Sequence, residues 1–412
     1  MSGRGEVELI VIEQDGQVLL SSRMTPGFFT VGADKNAAAA RYVQILRQFG
    51  PMPMAATRAM ATSAPTEPTP NPRALYLGFA FDANFGDRWM YEVLARRMPV
   101  HFGHATTLEE HWRKVAPQGH YDLAMLGGGT LINQQPQFYQ DALCAHAAGL
   151  PLVCFGSGVG EVERWGDHRD VWVELLRQFA YVGVRGPHSH AALSEAGLTG
   201  HTITGDPCLL DESRLPSLTS QAPPDEPVRV WLDLSFGGQE SDETLRFRHH
   251  LLALLGSLER AGVLTVNLYT SWNAYLPWIE EQTASMLGGK RPILILDPNN
   301  RAQLSTANVD LAIAYRLHAA AATLLAGIPT LVIQYEAKCL DFLAQLGLED
   351  LVFATGAAGS ARLRGRLLGD LPTFIALQRA RVCDAVRAAQ LEAERHFADF
   401  LGVIAAIAPR SR

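Results

Sequence analysis

The stretch Ala314–Lys338, AYRLHAAAATLLAGIPTLVIQYEAK, decides how the chain is read. An apolar run ends at Ala314–Tyr315, an alanine-rich segment of helical length follows, and a second apolar run opens at Thr330 and closes at Ile333. Strand, helix and strand in this order form a β-α-β unit, with parallel strands and a right-handed crossover. Cations and an imidazole occupy its seams. Arg316 and His318 flank Leu317 at the end of the first strand, and Tyr335 and Lys338 lie just past the second.

The same alternation extends outward. From Ala74, the segments ALYLGFAF, VHFGHAT, DLAMLGGG, LPLVCFGSGVG and YVGVRG read as strands separated by amphipathic helices, and HTITGDPCLL ends the series. Residues 213–227 are rich in Pro and Ser, and after them the pattern restarts with VRVWLDLSF, VLTVNLYTS, RPILILDP, VDLAIAY and PTLVIQY. The expectation is an α/β protein with two Rossmann-like, doubly wound domains facing a cleft, at residues 74–212 and 228–369. This arrangement is called GT-B in glycosyltransferases. Residues 213–227 serve as the linker and residues 370–412 as a helical tail.

Residues 1–50 stand apart as a small appendage. Asp15-Gly16 supplies a hairpin turn between two apolar runs, and residues 36–49 read as a short amphipathic helix. The phrase VIEQDGQVLLSSR is similar to the opening of a Nudix hydrolase, but the glutamate-rich metal box is missing, so no hydrolase chemistry is assigned. A docking or dimerising role is expected, which makes a homo-oligomer through this appendage the expected assembly. Residues 51–73, rich in Pro, Ala and Thr, form a linker.

Composition narrows the classes. The chain has 412 residues, 48% hydrophobic and 19% charged, with a net charge of -7. A nucleic-acid footprint, which needs clustered basic excess, is not expected. No apolar run of about 18 residues suggests a membrane span, and no basic-then-apolar leader suggests export. The five cysteines are scattered without a CxxC pair, against a disulfide framework or a cysteine zinc site. A cytoplasmic protein is expected.

In doubly wound sheets, ligands bind beyond the carboxyl ends of the strands. Asn84, Gly86 and Asp87 follow the first strand; Gly127, Gly128, Gly129 and Thr130 follow DLAML; Gly156, Ser157 and Gly158 follow LVCF. Arg185 follows YVGV, Asp206-Pro207 follows HTITG, and Ser271-Trp272-Asn273 follows NLYT. GGGT before a helix can hold an anion on backbone N–H groups, or its glycines can simply permit a tight turn. Neither glycine cluster matches a dinucleotide or P-loop fingerprint. Arginine forks bind carboxylate or phosphate at two points, and lysine adds a compact charge. Arg316 has no acidic neighbour at helical spacing within its alanine-rich surroundings, so an anionic ligand is expected to partner it. His318 fits either a structural role or an acid-base role.

In order, NFGDRWMYEVL, DLAMLGGGTLI, GSGVG, VRGPHSHAAL, GDPCLL, YRLHAAAATLLAGIPTLVIQYEAK and LGLED resemble the polysaccharide pyruvyl transferases, from about Asn84 to Asp350. The resemblance implies a GT-B-like fold and transfer of pyruvate from phosphoenolpyruvate to sugar hydroxyls as a ketal. It implies His318 as the acid-base residue, with Arg316 and Lys338 completing the catalytic set. It further implies Arg185, Arg316 and Lys338 as ligands of the donor's anionic groups, with Gly128, Gly129, Thr130, Ser157 and Gly158 beside them. Asn84, Asp87, Trp272 and Asn273 are assigned to the acceptor side. Phosphoenolpyruvate acts as a substrate; no cofactor is expected, and no DxD cluster or His/Asp set is spaced for a metal. The acceptor is expected to be a sugar, a glycan or a small natural-product scaffold.

Two features depart from the family. Residues 1–73 lie outside the resemblance, and Arg88 and Trp89 stand where small residues usually follow N-x-G-D. Trp165, Trp272 and Trp278 fit either a sugar-stacking platform or ordinary packing. Two rivals remain: a GT-B glycosyltransferase using a nucleotide sugar, and a non-catalytic member acting as a binding partner.

Overall fold

Strands covered on both faces read as unbroken apolar runs, because no position turns to water. LAML, LVCF and LAIA are such runs, and every residue in them is buried. The computed structural model describes residues 7–14, 17–24, 72–80, 84–103, 121–134, 142, 145–146, 149–160, 168–212, 226–235, 241–272, 276–300 and 309–407. The expected helix at residues 36–49, most of the first linker, nearly all of the second, and Trp165 and Asn273 lie outside these residues.

Strands β1 (Val7–Gln14) and β2 (Gln17–Met24) pair antiparallel as a two-stranded sheet of their own. The first domain holds β3 (Arg73–Leu77), helix α1 (Phe85–Arg97), β4 (His101–Gly103), β5 (Leu123–Leu126), β6 (Gly129–Ile132) and β7 (Leu152–Val159). It continues through α2 (His168–Leu176), β8 (Phe179–Val184), α3 (Pro187–Glu195), β9 (Thr202–Ile203) and a 3-10 turn at Pro207–Leu210. Its parallel sheet runs β4-β3-β5-β7-β8-β9, with β6 added beside β7.

The second domain holds β10 (Val228–Asp233), α4 (Asp242–Arg260), β11 (Leu264–Thr270), α5 (Leu276–Met286), β12 (Ile293–Ile295) and β13 (Leu311–Ala314). It continues through α6 (Leu317–Leu325), β14 (Thr330–Gln334), α7 (Ala337–Leu346), β15 (Val352–Ala354) and α8 (Ala357–Leu368). Its sheet runs β12-β11-β10-β13-β14-β15, again all parallel. Both sheets are doubly wound, and in each the strand order reverses next to the first strand. Crevices form at such reversals: between β3 and β5 in one domain, and between β10 and β13 in the other.

Two local expectations change. GGGT does not start a helix: Gly129–Ile132 is the short strand β6, paired parallel with β7. GSG is not a turn either, since Gly156, Ser157 and Gly158 all lie within β7. The causes are linked. β7 runs on beyond the end of β5 and offers an open edge, which β6 covers. Gly156, at φ 72, takes up the irregularity in pairing with β8 that lies between Cys154 and Ser157.

The last helix, α9 (Leu371–Ile407), is one continuous element. It packs on α6, α7 and α8, then on the Pro207–Leu210 turn and β8 of the first domain. Phe397 and Phe400 meet Phe155 with ring centroids 5.5 and 5.0 Å apart, and Phe400 lies 5.2 Å from Tyr181. Arg97 on α1 forks onto Glu394 at 2.8 and 2.6 Å. Among the described residues, no helix is long and apolar enough to cross a membrane.

Candidate active site

The second domain builds its part around Asp233, which ends β10 and is almost fully buried. Its carboxylate accepts from the backbone N–H groups of Ser235, Tyr315 and Arg316 at 3.0, 3.3 and 3.0 Å, so it clamps the chain leaving β13 to the end of β10. Burial pushes this carboxyl up despite those donors. Arg316 is held as the N-cap of α6. Its Nε donates to the Ser235 carbonyl at 2.9 Å, and its guanidinium lies 4.1 Å from the Trp272 ring and 5.6 Å from that of Tyr335. This corrects the expectation that Arg316 waits for an anion without protein partners. Aromatic faces and a carbonyl hold its guanidinium, and the buried Asp233 carboxylate interacts with its charge.

Lys338, at the start of α7, places Nζ 5.0 Å from the centre of the Tyr335 ring and 2.8 Å from Glu336. Burial alone would lower its pKa; the neighbouring Tyr335 and Glu336 outweigh that and raise it, so the ammonium stays charged. Trp272 therefore stacks on a cation. Trp278 does likewise with Arg248, at 3.8 Å. Of the three tryptophans, both described ones are committed to arginines.

In the first domain, Arg185 leaves β8 with 1% exposure. Its Nε lies 2.9 Å from Asp206 Oδ2, and its Nη1 donates to Thr130 Oγ1 at 3.4 Å. Gly158 makes room for it, since a Cβ there would stand 3.0 Å from Nη1. Nη2 is buried with no hydrogen-bond partner, and Nε faces Asp206 Oδ2 at ion-pair distance without hydrogen-bond alignment. Ser157 is occupied elsewhere: fully buried, its hydroxyl donates to the Gly127 carbonyl, while its own carbonyl accepts from Arg185 N at 3.0 Å. Gly128 packs under Met90, and Gly129 faces Asp87.

The two domains meet at Asp206. This residue has no exposed surface, caps the Pro207–Leu210 turn, and brings Oδ2 to 3.4 Å from His318 Nε2. Burial would push its carboxyl up; Arg185 and His318 overcome this and hold it well below the usual carboxylate range. Beside it, the start of α1 presses on the second domain. Asn84 accepts from Gly86 N at 3.1 Å and donates to Asp87 at 2.6 Å, and Phe85 N donates to the Ser271 carbonyl at 3.1 Å. Gly86 lies against the His318 ring, where any Cβ would overlap Nδ1.

The structure thus groups the expected cations into two sets joined by α6. Arg185 and His318 share Asp206, while Arg316 and Lys338 share Tyr335. Trp272 belongs to the second set. Arg88 ties α1 to Asp297 at 2.7 Å across the seam, and Trp89 is buried and bonds Asp211, so neither of these departures widens the first domain's crevice. Asp341 on α7 caps α3 through His188 N and Ser189 N, at 2.8 and 3.2 Å.

Sequence reasoning assigned no role to Asp206, Asp233 or Asp341. For Asp206 a signal existed: an aspartate before proline at a strand end is a cap, and caps at strand ends face the ligand side.

Comparison with known proteins finds a family likeness over part of the chain. Residues 62–260 match the polysaccharide pyruvyl transferase family. The match covers the first domain and the opening strand and helix of the second; Arg316, His318 and Lys338 lie beyond it. Solved structures share the fold. A putative UDP-N-acetylglucosamine 2-epimerase from Listeria monocytogenes is 10% identical, aligned over 80% of this chain and 96% of its own, with a TM-score of 0.51. The S. aureus MnaA–UDP co-structure is 9% identical over 81% of this chain and 97% of its own, also at 0.51. These likenesses support the GT-B-like arrangement of two Rossmann-like domains. No curated protein matches the chain by sequence.

Proposed function

We propose that the protein transfers pyruvate from phosphoenolpyruvate to two hydroxyls of a sugar or glycan acceptor, forming a cyclic ketal and releasing inorganic phosphate. One observation carries the reading: Asp206 joins Arg185 and His318 from opposite domains, so a guanidinium and an imidazole share one buried site. Phosphoenolpyruvate carries a carboxylate and a phosphate. Arg316 and Lys338 are suited to these anions because both carry positive charge beside the Tyr335 ring, and Lys338 needs only to exchange Glu336 for a stronger anion.

Each step has a group to perform it. His318 gives a proton to the methylene carbon, which leaves positive charge at C2. A hydroxyl adds to C2 and gives up its proton to the imidazole. The C2–O bond to phosphate then breaks, with the cations stabilising the departing anion, and a second hydroxyl bonds C2 to close the ketal while its proton passes to the released phosphate. Atoms balance as donor plus diol giving ketal plus phosphate, with no redox step. Phosphoenolpyruvate is a cytoplasmic metabolite, so the reading implies a cytoplasmic reaction.

Calorimetric titration with phosphoenolpyruvate and a panel of nucleotide sugars tests the donor. Binding of phosphoenolpyruvate supports the reading, and binding of nucleotide sugars alone would replace it with glycosyl transfer. Mass spectrometry of sugar acceptors should show a gain equal to pyruvic acid less one water. His318→Ala is expected to keep the fold and cut phosphate release by about 10²–10⁴-fold.

A further inference from the structure

A carboxylate that touches both an arginine and a histidine does more than balance charge. Asp206 Oδ1 accepts from Cys208 N at 3.0 Å, and this cap fixes where Oδ2 points. Oδ2 then meets Arg185 Nε on one side and His318 Nε2 on the other. A nitrogen lone pair facing a buried anion is repelled, whereas an N–H in the same place is attracted. The remaining ring nitrogen, Nδ1, lies on the Gly86 side, where the absence of a side chain lets the ring sit.

We propose that Asp206 is a positioning residue that holds His318 as the Nε2–H tautomer and assigns proton exchange with the substrate to Nδ1. The inference rests on the pyruvyl transfer reading, whose proton carrier it describes. In the imidazolium, the Nδ1 proton goes to the methylene carbon of phosphoenolpyruvate. Nδ1 then carries the lone pair and takes the proton of the hydroxyl that bonds C2. Asp206 stays ionised throughout and exchanges no proton, and Arg185 keeps it so from the opposite side. The buried carboxylate thereby connects donor-binding cation and proton carrier, and neither can turn without the other.

The test uses the full-length protein with ¹⁵N-labelled histidine rings, His318 being assigned by the resonance lost in His318→Ala. NMR of the neutral imidazole should show Nε2 protonated and Nδ1 bare, and Asp206→Asn should give a mixture of both tautomers. An Nδ1–H tautomer in the unaltered protein, or an unchanged tautomer in folded Asp206→Asn, would overturn the proposal. Should Asp206→Asn not fold, the tautomer of the unaltered protein decides alone. Calorimetry with phosphoenolpyruvate on the same sample separates the two readings. No binding alongside an Nε2–H ring overturns pyruvyl transfer and supports the positioning of the ring; binding alongside an Nδ1–H ring overturns the positioning role only.

Discussion

Arg185 in the first domain has 1% exposure and meets a carboxylate, whereas Arg316 in the second rests on the ring of Trp272 and bonds a backbone carbonyl. The first arginine is part of the architecture: removing it strands Asp206 as a buried, half-compensated anion. The second is held at its guanidinium by an aromatic face and a carbonyl, while its backbone N–H donates to the buried Asp233. The difference teaches that two strand-end arginines can be secured by different means, one by a buried carboxylate and one by an aromatic face.

Arg185→Met should therefore lower stability by about 3–5 kcal/mol, the cost of breaking a buried ion pair. Arg316→Met should cost about 1–2 kcal/mol, the worth of one hydrogen bond and one cation–ring contact, yet weaken phosphoenolpyruvate binding more per unit of lost stability. Urea unfolding and calorimetry on both variants check this, and equal stability losses would erase the contrast. The pH dependence follows the same logic. Because the folded state holds the Asp206 carboxyl low, its stabilisation is complete above the unfolded value of about 3.9 and is lost as pH falls through the folded value. The stability gap between the unaltered protein and Arg185→Met should therefore be constant near neutrality and narrow in strong acid.

Phe400→Ala tests the contact of α9 with the first domain, and should cost about 3–5 kcal/mol for a buried ring. Gly86→Ala probes the seam: the added methyl meets His318, and a loss of about 1–3 kcal/mol is expected from overpacking. The smallest effect belongs to Arg88→Ala, which breaks a part-exposed bridge to Asp297 worth about 0.2–1 kcal/mol and should vanish in high salt.

Much of this was readable from the chain itself. Unbroken apolar runs with helices between them dictated two parallel sheets, and the strand-end rule led to Arg185, Arg316, His318 and Lys338. The partners were harder to read. Asp206 lies far along the chain from His318, as Asp233 does from Tyr315 and Arg316, and nothing in local spacing reports contacts made when strands pair or two domains meet. The glycine clusters misled for a related reason. Whether GGGT turns or extends depends on the length of the neighbouring strand β7, which is a property of the sheet. Arg316 was expected to lack protein partners because charge was sought among acidic neighbours, while the group that holds it is an aromatic ring from a different strand end.

The reach of α9 has a consequence for how the protein comes into being. The rings of Phe397 and Phe400 complete the packing around Phe155 and Tyr181, so the domain that leaves the ribosome first is the last to be finished. Until the final helix emerges, that sheet presents an uncovered aromatic surface. A first domain cut from α9 would lose these ring partners of Phe155 and Tyr181.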